Sequence, residues 1–203
     1  GMQIGSDGNA LIPLEYNENL KVISISSMLQ SSDTPVIWRG PMKIGAIKQF
    51  IADVAWGELD YLIIDSPPGT GDEPLTVAQD LPGSKSIIVT TSQAASILDV
   101  RKSITFCKHV SMPILGLIEN MSGFICPHCG KCTELFGSGR GKEAAADMDV
   151  RYLGAVPLDP GISDAGDSGN PYIVSQSKSD IAESFRQIVD SLLEENNIQG
   201  GKI

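Results

Sequence analysis

The sequence predicts an α/β fold of three layers, in which helices cover both faces of a mainly parallel sheet. Short runs rich in isoleucine, leucine and valine alternate with stretches whose apolar residues recur every three or four positions. This alternation is typical of strands joined by right-handed helical crossovers. The length of 203 residues fits one domain and also allows two small ones, and with 41% hydrophobic residues the chain can build a core.

In the first half of the chain, the pattern of apolar residues predicts short strands and one helix. A strand is possible at residues 11–14, and a second is predicted at 20–26, where apolar and polar residues alternate. A helix is expected to begin at Pro41, because proline is tolerated in the first helical turn. Its apolar stripe consists of Ile44, Ile47, Phe50, Ile51, Val54 and Ala55.

Later runs predict the strands of the sheet itself. Residues 59–65 (LDYLIID) form an apolar run of the kind buried on both faces of a parallel sheet, and residues 87–89 and 114–118 have the same character. A helix between the last two runs has an apolar side that includes Cys107, which is therefore predicted to lie in the core. A strand at 153–156 and a helix from Asp180 complete the fold. Residues 196–203 are expected to form a flexible tail.

Charge and composition exclude several classes of function. Fifteen Lys and Arg residues against 25 Asp and Glu residues give a net charge of −10. Such a surface repels phosphate backbones, so nucleic acid is not an expected partner. No apolar run approaches the ~20 residues of a membrane span, and the first residues lack a signal pattern. We therefore expect a cytoplasmic protein that binds neither nucleic acid nor membranes.

The first stretch with chemical information directly follows the run 59–65 and reads DSPPGTGD (residues 65–72). Ligands of parallel sheets gather beyond the carboxyl ends of the strands, and an apolar strand that ends in aspartate is how P-loop NTPases place a carboxylate near Mg²⁺. The turn Gly69-Thr70-Gly71 offers backbone N–H groups to a phosphate. The alternative interpretation is a tight turn in which Asp65 only caps the next helix.

The main phosphate cradle of such proteins is not found in these 203 residues. No G-x-x-x-x-G-K-[ST] segment occurs. The nearest approach is GSGRGKE (residues 137–143), in which the spacing is wrong and Glu143 occupies the position of the Mg²⁺-binding hydroxyl.

The second informative stretch is a cysteine cluster, in which Cys126, Cys129 and Cys132 lie within seven positions. One C-x-x-C pair supplies two thiolates, whereas zinc or a [4Fe–4S] cluster requires four ligands. The shortfall is met either by Cys132 with another group or by a second chain across a two-fold axis. A redox pair or incidental cysteines are the alternatives, although a redox pair is expected to begin a helix and residues 133–141 look like a loop. His128 is expected to be exposed rather than a ligand.

Together these stretches are similar to the Mrp-type (ApbC-like) iron–sulfur cluster carrier ATPases, a branch of the MinD/ParA group of P-loop proteins with a deviant Walker A motif. The similarity extends over nearly all of the chain. The matching text comprises VIWRGPM (36–42), WGELDY (56–61), DSPPGTGD (65–72), ENMS (119–122), CPHCG (126–130), FG (136–137) and LGAVPLD (153–159).

The resemblance implies a nucleotide site. Asp65 resembles the Walker B-type aspartate, and the segment 68–72, with Gly69, Thr70, Gly71 and Asp72, resembles the switch that senses the γ-phosphate. Asp65 and Asp72 are therefore the implied catalytic residues. Asn120 matches the asparagine that contacts adenine in this group, and the loop at Pro157 is expected nearby.

The resemblance also implies a cluster site and an activity. Cys126 and Cys129 match the pair that, with its copy in a second subunit, holds a bridging [4Fe–4S] cluster. The implied function is to receive a cluster, hold it in a homodimer and pass it to apo-proteins, controlled by ATP and Mg²⁺ in the full-length parent. Zinc is a possible occupant after isolation in air, and a non-enzymatic zinc-binding dimerisation module is the alternative function.

The sequence departs from the family pattern in two respects, and each leads to a further expectation. The P-loop, its strand, the first helix and the next strand are expected to precede residue 1, so the 203 residues are expected to be one incomplete P-loop NTPase-like domain with a cysteine loop at 121–141. Alone, such a chain is expected to bind and hydrolyse ATP weakly or not at all. Cys132 lies outside the family pattern, and whether it supplies a third thiolate stays open.

Overall fold

The computed structural model describes residues 5–7, 10–29, 31, 33–35, 37–126 and 128–198. The chain divides into two compact units between Pro82 and Gly83, each described here by itself, and the expectation of one domain stays a prediction. The C-terminal helix continues to Ile198. The predicted tail therefore lies, from residue 199 onward, outside the described residues.

The first unit contains two antiparallel strand pairs and two helices. Strand β1 (Gly5–Asp7) pairs with β2 (Ala10–Ile12), and β3 (Leu14–Asn17) pairs with β4 (Leu20–Val22). Helix α1 (Gly40–Ala52) packs against α2 (Asp72–Asp80).

The strand predicted at 20–26 is too long. After β4 the chain forms a short 3₁₀ turn at Ser26–Met28, in which the Ser27 hydroxyl donates to the carbonyl of Ser24 at 2.6 Å. Serine side chains compete for neighbouring backbone groups in this way, and they favour turns over strands.

The predicted helix from Pro41 is confirmed but ends at Ala52. Beyond its end, the amide of Leu11 donates to the carbonyl of Asp53 at 2.8 Å, and the amide of Ala55 donates to the carbonyl of Leu11 at 2.8 Å. Because these backbone groups pair with Leu11, they cannot continue the helical ladder.

The buried strand predicted at 59–65 is wrong. The segment has no regular secondary structure, and the side chains of Tyr61 and Ile63 are 59% and 90% exposed. A strand buried on both faces needs ladder partners and covering helices. Among the described residues of this unit, strands pair only within the two hairpins. The apolar composition of the segment therefore does not specify which strands would pair with it.

Substitution of Ile63 by lysine tests this correction. Because the side chain is exposed, we expect Ile63→Lys to change the free energy of unfolding by no more than about 0.5 kcal/mol, measured by urea denaturation. The matched control is Val77→Lys in α2, whose side chain is only 8% exposed, and burial of an unpaired ammonium there should cost several kcal/mol. Equal losses of unfolding free energy in the two variants would contradict this correction and support a buried strand at 59–65.

The second unit contains the sheet. Strand β5 (Ser86–Thr90) is parallel to β6 (Ile114–Ile125), which is parallel to β8 (Tyr152–Leu158). Strand β7 (Cys132–Thr133) is antiparallel to the far end of β6. The helices are α3 (Ala94–His109), α4 (Arg140–Asp147), α5 (Pro160–Ser168), α6 (Tyr172–Ser175) and α7 (Asp180–Ile198).

The three-layer architecture is confirmed in this unit, because adjacent residues of β6 contribute to different cores. Leu117 is fully buried and packs with α3 residues, including Ile104 and Cys107. Ile118 packs on the other face, with a cluster that includes Ile188 of α7. Each fully buried aliphatic side chain contributes about 1.5–3 kcal/mol, and Cys107 lies in the core as predicted.

Strand β5 is not buried on both faces as predicted. Ile88 faces the core, whereas Ile87 and Val89 on its other face are 41% and 55% exposed. Among the described helices, none combines the length and the apolar composition that a membrane span requires.

Candidate functional site

The predicted site residues fall into both units. Asp65 and the segment 69–72 belong to the first unit, whereas Asn120, Pro157 and the three clustered cysteines belong to the second. The two groups are therefore described separately.

In the first unit, the segment 65–72 is exposed and leads directly into α2. Gly69 has a φ of +106°, a conformation that glycine adopts without strain. Gly71, not Asp65, is the N-cap of α2. The alternative role of Asp65 as a helix cap is therefore wrong.

The N-terminal ends of α1 and α2 lie against each other. The Asp72 carboxylate occupies the space beside Gly40, where an added Cβ would lie 2.7 Å from Oδ2. The Lys43 ammonium lies 2.8 Å from Oε1 of Glu73 and holds the pKa of that carboxyl below its usual value. The glycine of the W-R-G-P segment thus allows Asp72 to approach α1.

In the second unit, the carboxyl ends of the parallel strands meet at one edge of the sheet. Asn120 of β6 is in register with Val156 of β8, so Pro157 lies one residue further along the neighbouring strand. The side-chain oxygen of Asn120 accepts a hydrogen bond from the amide of Met121 at 2.9 Å. The structure therefore places Asn120 and Pro157 on neighbouring strands, where their regular parallel pairing ends, and ligands of such sheets bind beyond the carboxyl ends of the strands.

Beyond this edge, β6 and β7 form the cysteine hairpin (residues 124–133). Ile125 is in register with Cys132, and the amide of Cys126 donates to the carbonyl of Lys131 at 3.0 Å. The amide of Gly130 donates to the carbonyl of Cys126 at 2.8 Å. The C-x-x-C pair therefore forms the tight turn at the tip of the hairpin, not the start of a helix as a redox pair would.

Hydrogen-bond donors of the turn face the sulphur of Cys126. The amides of His128 and Cys129 and the thiol of Cys129 donate hydrogen bonds to the Cys126 sulphur, and they lower the pKa of the Cys126 thiol below its usual value. A thiolate is the form that binds metal, so the turn prepares Cys126 as a ligand. His128 is exposed, as predicted.

Cys132 is placed differently. Its sulphur lies 3.1 Å from where a Cβ on Gly123 would be. It therefore shares the hairpin face of Gly123 and Ile125, whereas Cys126 begins the turn from the opposite face. Across the described ranges, no three His, Cys, Asp or Glu side chains gather as a metal site would require. The structure thus brings Cys126 and Cys129 together and leaves Cys132 apart from them.

The lowered pKa gives a measurable pH dependence. In the metal-free chain, we expect alkylation of Cys126 by iodoacetamide to begin at lower pH than for an ordinary thiol of pKa about 8.5, as read by peptide mass spectrometry. Cys129→Ala removes one donor and should move the midpoint to higher pH, whereas Cys132→Ala should leave it unchanged. A midpoint at or above that of an ordinary thiol would contradict the hydrogen bonding.

One buried carboxylate at the sheet edge was missed by the sequence analysis. Glu119 is 1% exposed, and it accepts hydrogen bonds from the amides of Gly139 at 3.1 Å and Gly141 at 2.7 Å. The glycine-rich segment 137–141 therefore binds a carboxylate of its own chain. The available signal was a charged residue directly after the apolar run 114–118.

Comparisons with known proteins show what this chain is similar to. A ParA family model described as "NUBPL iron-transfer P-loop NTPase" matches residues 2–193. An iron-sulfur cluster carrier protein of Methanocaldococcus jannaschii is 47% identical over 193 residues, which are 95% of this chain and 65% of that protein. The cytosolic Fe-S cluster assembly factor CFD1 of Saccharomyces cerevisiae is 53% identical over 161 residues, which are 77% of this chain and 55% of that protein.

Solved structures confirm the expected fold. A nucleotide-binding protein of Archaeoglobus fulgidus in complex with ADP, with cobalt found by PIXE, is 37% identical with a TM-score of 0.67 and is matched over 82% of this chain and 64% of its own. MinD of Pyrococcus horikoshii, in complex with Mg-ADP, is 23% identical with a TM-score of 0.56, is matched over 81% of this chain and 60% of its own, and shares the fold alone. The chain spans 65% and 66% of the length of two archaeal carrier proteins that it matches.

Proposed function

The chain belongs to the ParA family of iron-transfer P-loop NTPases, and on that premise we propose that it is an iron–sulfur cluster carrier. Its cargo is a [4Fe–4S] cluster, which it holds through Cys126 and Cys129 and delivers to apo-proteins. The observation that carries the proposal is that Cys126 and Cys129 share one tight turn at the tip of an exposed hairpin, where hydrogen bonding lowers the pKa of the Cys126 thiol. Relatives named as iron–sulfur cluster carriers support it.

The ligand count supports a homodimer. A [4Fe–4S] cluster takes four thiolates, the tip of the hairpin supplies two, and the described part of the chain gathers no third donor beside them. A second copy related by a two-fold axis supplies the same pair in the complementary orientation. The cluster then lies between two hairpin tips and is accessible to a recipient.

Roles in nucleotide control are proposed for residues of each unit by itself. Asp65 and Asp72 are the proposed catalytic residues and bind Mg²⁺ and its water, and the turn 69–71 contacts phosphate through its amides. Asn120 and Pro157 contact adenine at the edge of the sheet, where their positions on neighbouring strands support this role. These activities belong to the full-length protein.

Binding of ATP to these 203 residues alone should be weak. Because the sequence contains no G-x-x-x-x-G-K-[ST] segment, the β- and γ-phosphates lose their main ligands. We expect isothermal titration to show no saturation at about 1 mM ATP, which corresponds to no more than about 4 kcal/mol of binding free energy. A micromolar dissociation constant would contradict this expectation.

The proposed location is the cytoplasm, where thiols stay reduced and where the yeast relative, by its name, acts. The net charge of −10 disfavours nucleic acid and anionic membranes as partners. The proposed partners are therefore a second copy of the chain and apo iron–sulfur proteins.

A zinc-binding dimerisation module is the second candidate, because a C-x-x-C turn with amide-to-sulphur hydrogen bonds suits zinc equally well. Anaerobic reconstitution with iron and sulfide distinguishes the two functions. Stable absorbance near 400 nm, with about four iron atoms per dimer, supports the carrier. Stoichiometric zinc with no retained iron supports the module and contradicts the carrier.

A further inference from the structure

The cysteine pair lies in a segment of the chain whose two ends, near Glu119 and Gly139, are held together. Strand β6 carries Glu119 at the sheet edge, and its pairing with β8 shifts register beyond Asn120, where Met121 adopts a φ of +55°. The chain pairs once more with β8 at Phe124, forms the cysteine hairpin and comes back to the Glu119 side chain at Gly139, the N-cap of α4. We call residues 120–138 the cysteine excursion.

The carboxylate of Glu119 joins the two ends of this excursion. Oε1 accepts from the amide of Gly139 and Oε2 from the amide of Gly141, so one side chain bonds the return point to the departure point. A second link lies beside it, since Arg140 donates to the carbonyl of Ser92 at 3.4 Å. The start of α4 is thereby fixed to the ends of both β5 and β6.

Burial of a carboxylate needs this compensation. An ionised carboxylate removed from water costs several kcal/mol, which charge-assisted hydrogen bonds and the positive end of a helix dipole offset. Burial and, to a smaller extent, the negative charge of Glu119 raise the pKa of the nearby Tyr152. An apolar residue at this position would fill the space at a lower free-energy cost. It would not, however, accept the hydrogen bonds that join the two ends of the excursion.

The glycine spacing in G-S-G-R-G fits this carboxylate. Gly139 has a φ of +78°. A Cβ on Gly141 would lie 2.7 Å from Oε2 of Glu119 and 3.2 Å from its Cβ. The glycine-rich loop 137–141, whose sequence approaches that of a phosphate-binding loop, thus has the shape needed to accommodate the Glu119 carboxylate. Its Gly139 and Gly141 amides already donate to that carboxylate.

We propose that Glu119 is a positioning residue for the cysteine pair. By closing the base of the excursion, it fixes where the hairpin tip stands relative to the sheet, so that the sulphur atoms of two copies meet at one cluster. This inference rests on the proposed carrier function. Glu119 does not contact the cluster and acts through the hairpin.

The test compares two conservative variants of the full chain after anaerobic reconstitution. Glu119→Gln keeps the size of the side chain but loses its charge and one acceptor. The control is Glu143→Gln, which changes an exposed carboxylate on the same helix. We expect Glu119→Gln to release iron to a chelator about tenfold faster than the unmodified chain, with an altered visible circular dichroism spectrum of the cluster, while the control matches the unmodified chain.

A second variant separates positioning from folding. Gly141→Ala leaves every charge in place but displaces the Glu119 carboxylate, so it should release iron equally fast. If the unmodified chain retains its cluster and either folded variant retains it equally well, with an unchanged spectrum, the positioning role is wrong. The same holds if neither variant folds, since Glu119 is then a folding residue only. If the unmodified chain holds no iron, the carrier function itself fails.

Discussion

Replacement of Cys126 or Cys129 by serine should remove the cluster, whereas Cys132→Ser should retain it. In the proposed dimer each chain supplies two thiolates from the tip of its hairpin, so one substitution leaves two of the four ligands that a [4Fe–4S] cluster requires. We expect iron content and absorbance near 400 nm to fall to roughly a tenth or less of those of the unmodified chain. Light scattering after size exclusion should show the corresponding loss of cluster-dependent dimer.

The control lies within the same hairpin. Cys132 faces Gly123 across the strand pair, apart from the Cys126 turn, so Cys132→Ser keeps both proposed ligands and a nearly equal volume. A dimer that loses its cluster in Cys132→Ser would show that the hairpin rearranges on loading and that Cys132 is a ligand. Full iron retention in Cys126→Ser would contradict the carrier assignment.

Substitution of Gly116 by alanine should have the largest effect on stability. Gly116 lies near the start of β6 with a φ of +156°, and an added Cβ would lie 2.5 Å from Cγ of Leu153 and 2.8 Å from the carbonyl oxygen of Arg151. That carbonyl accepts from the amide of Leu117 at 2.8 Å, so the neighbouring backbone cannot move without a broken bond. Overpacking and backbone strain each cost about 1–3 kcal/mol.

We therefore expect Gly116→Ala to lower the free energy of unfolding by about 3 kcal/mol or more, out of a total of about 5–15 kcal/mol. Urea denaturation followed by circular dichroism measures the loss. Gly166→Ala is the matched control in the same unit, because nothing lies within 4 Å of its added Cβ and alanine favours the helix by up to about 1 kcal/mol. Equal stability of the two variants would show that β6 and β8 separate easily.

The elements that could be predicted from sequence are those whose burial is periodic. Helix α3 shows its apolar side through Ile104 and Cys107, and β6 places Leu117 in one core and Ile118 in the other. Such patterns are local, so neighbouring residues are enough to identify them. The short helices α4 and α5 escaped prediction because glycine and alanine supply much of their length and form no distinct apolar stripe.

The predictions that failed or were missed depend on residues that lie far apart in the sequence. The run 59–65 has the composition of a buried strand, but composition does not say which strands lie beside it. Glu119 binds amides that lie 20 and 22 residues further along the chain, a distance over which no spacing rule applies. The cysteine pair could be recognised from sequence because two thiols separated by two residues form a local pattern, and its role as a ligand pair stays a prediction. The side of the hairpin that Cys132 occupies required the strand register.

The position of Cys126 and Cys129 in one tight turn has a consequence for the proposed carrier when it holds no cluster. A peroxide can oxidise Cys126, whose thiol readily ionises, to a sulfenic acid, and attack by the Cys129 thiol then forms an intrachain disulfide and releases water. That bond would consume both ligands and block loading until a reductant restores them. The unloaded protein would therefore depend on the thiol-reducing systems of its compartment between one delivery and the next.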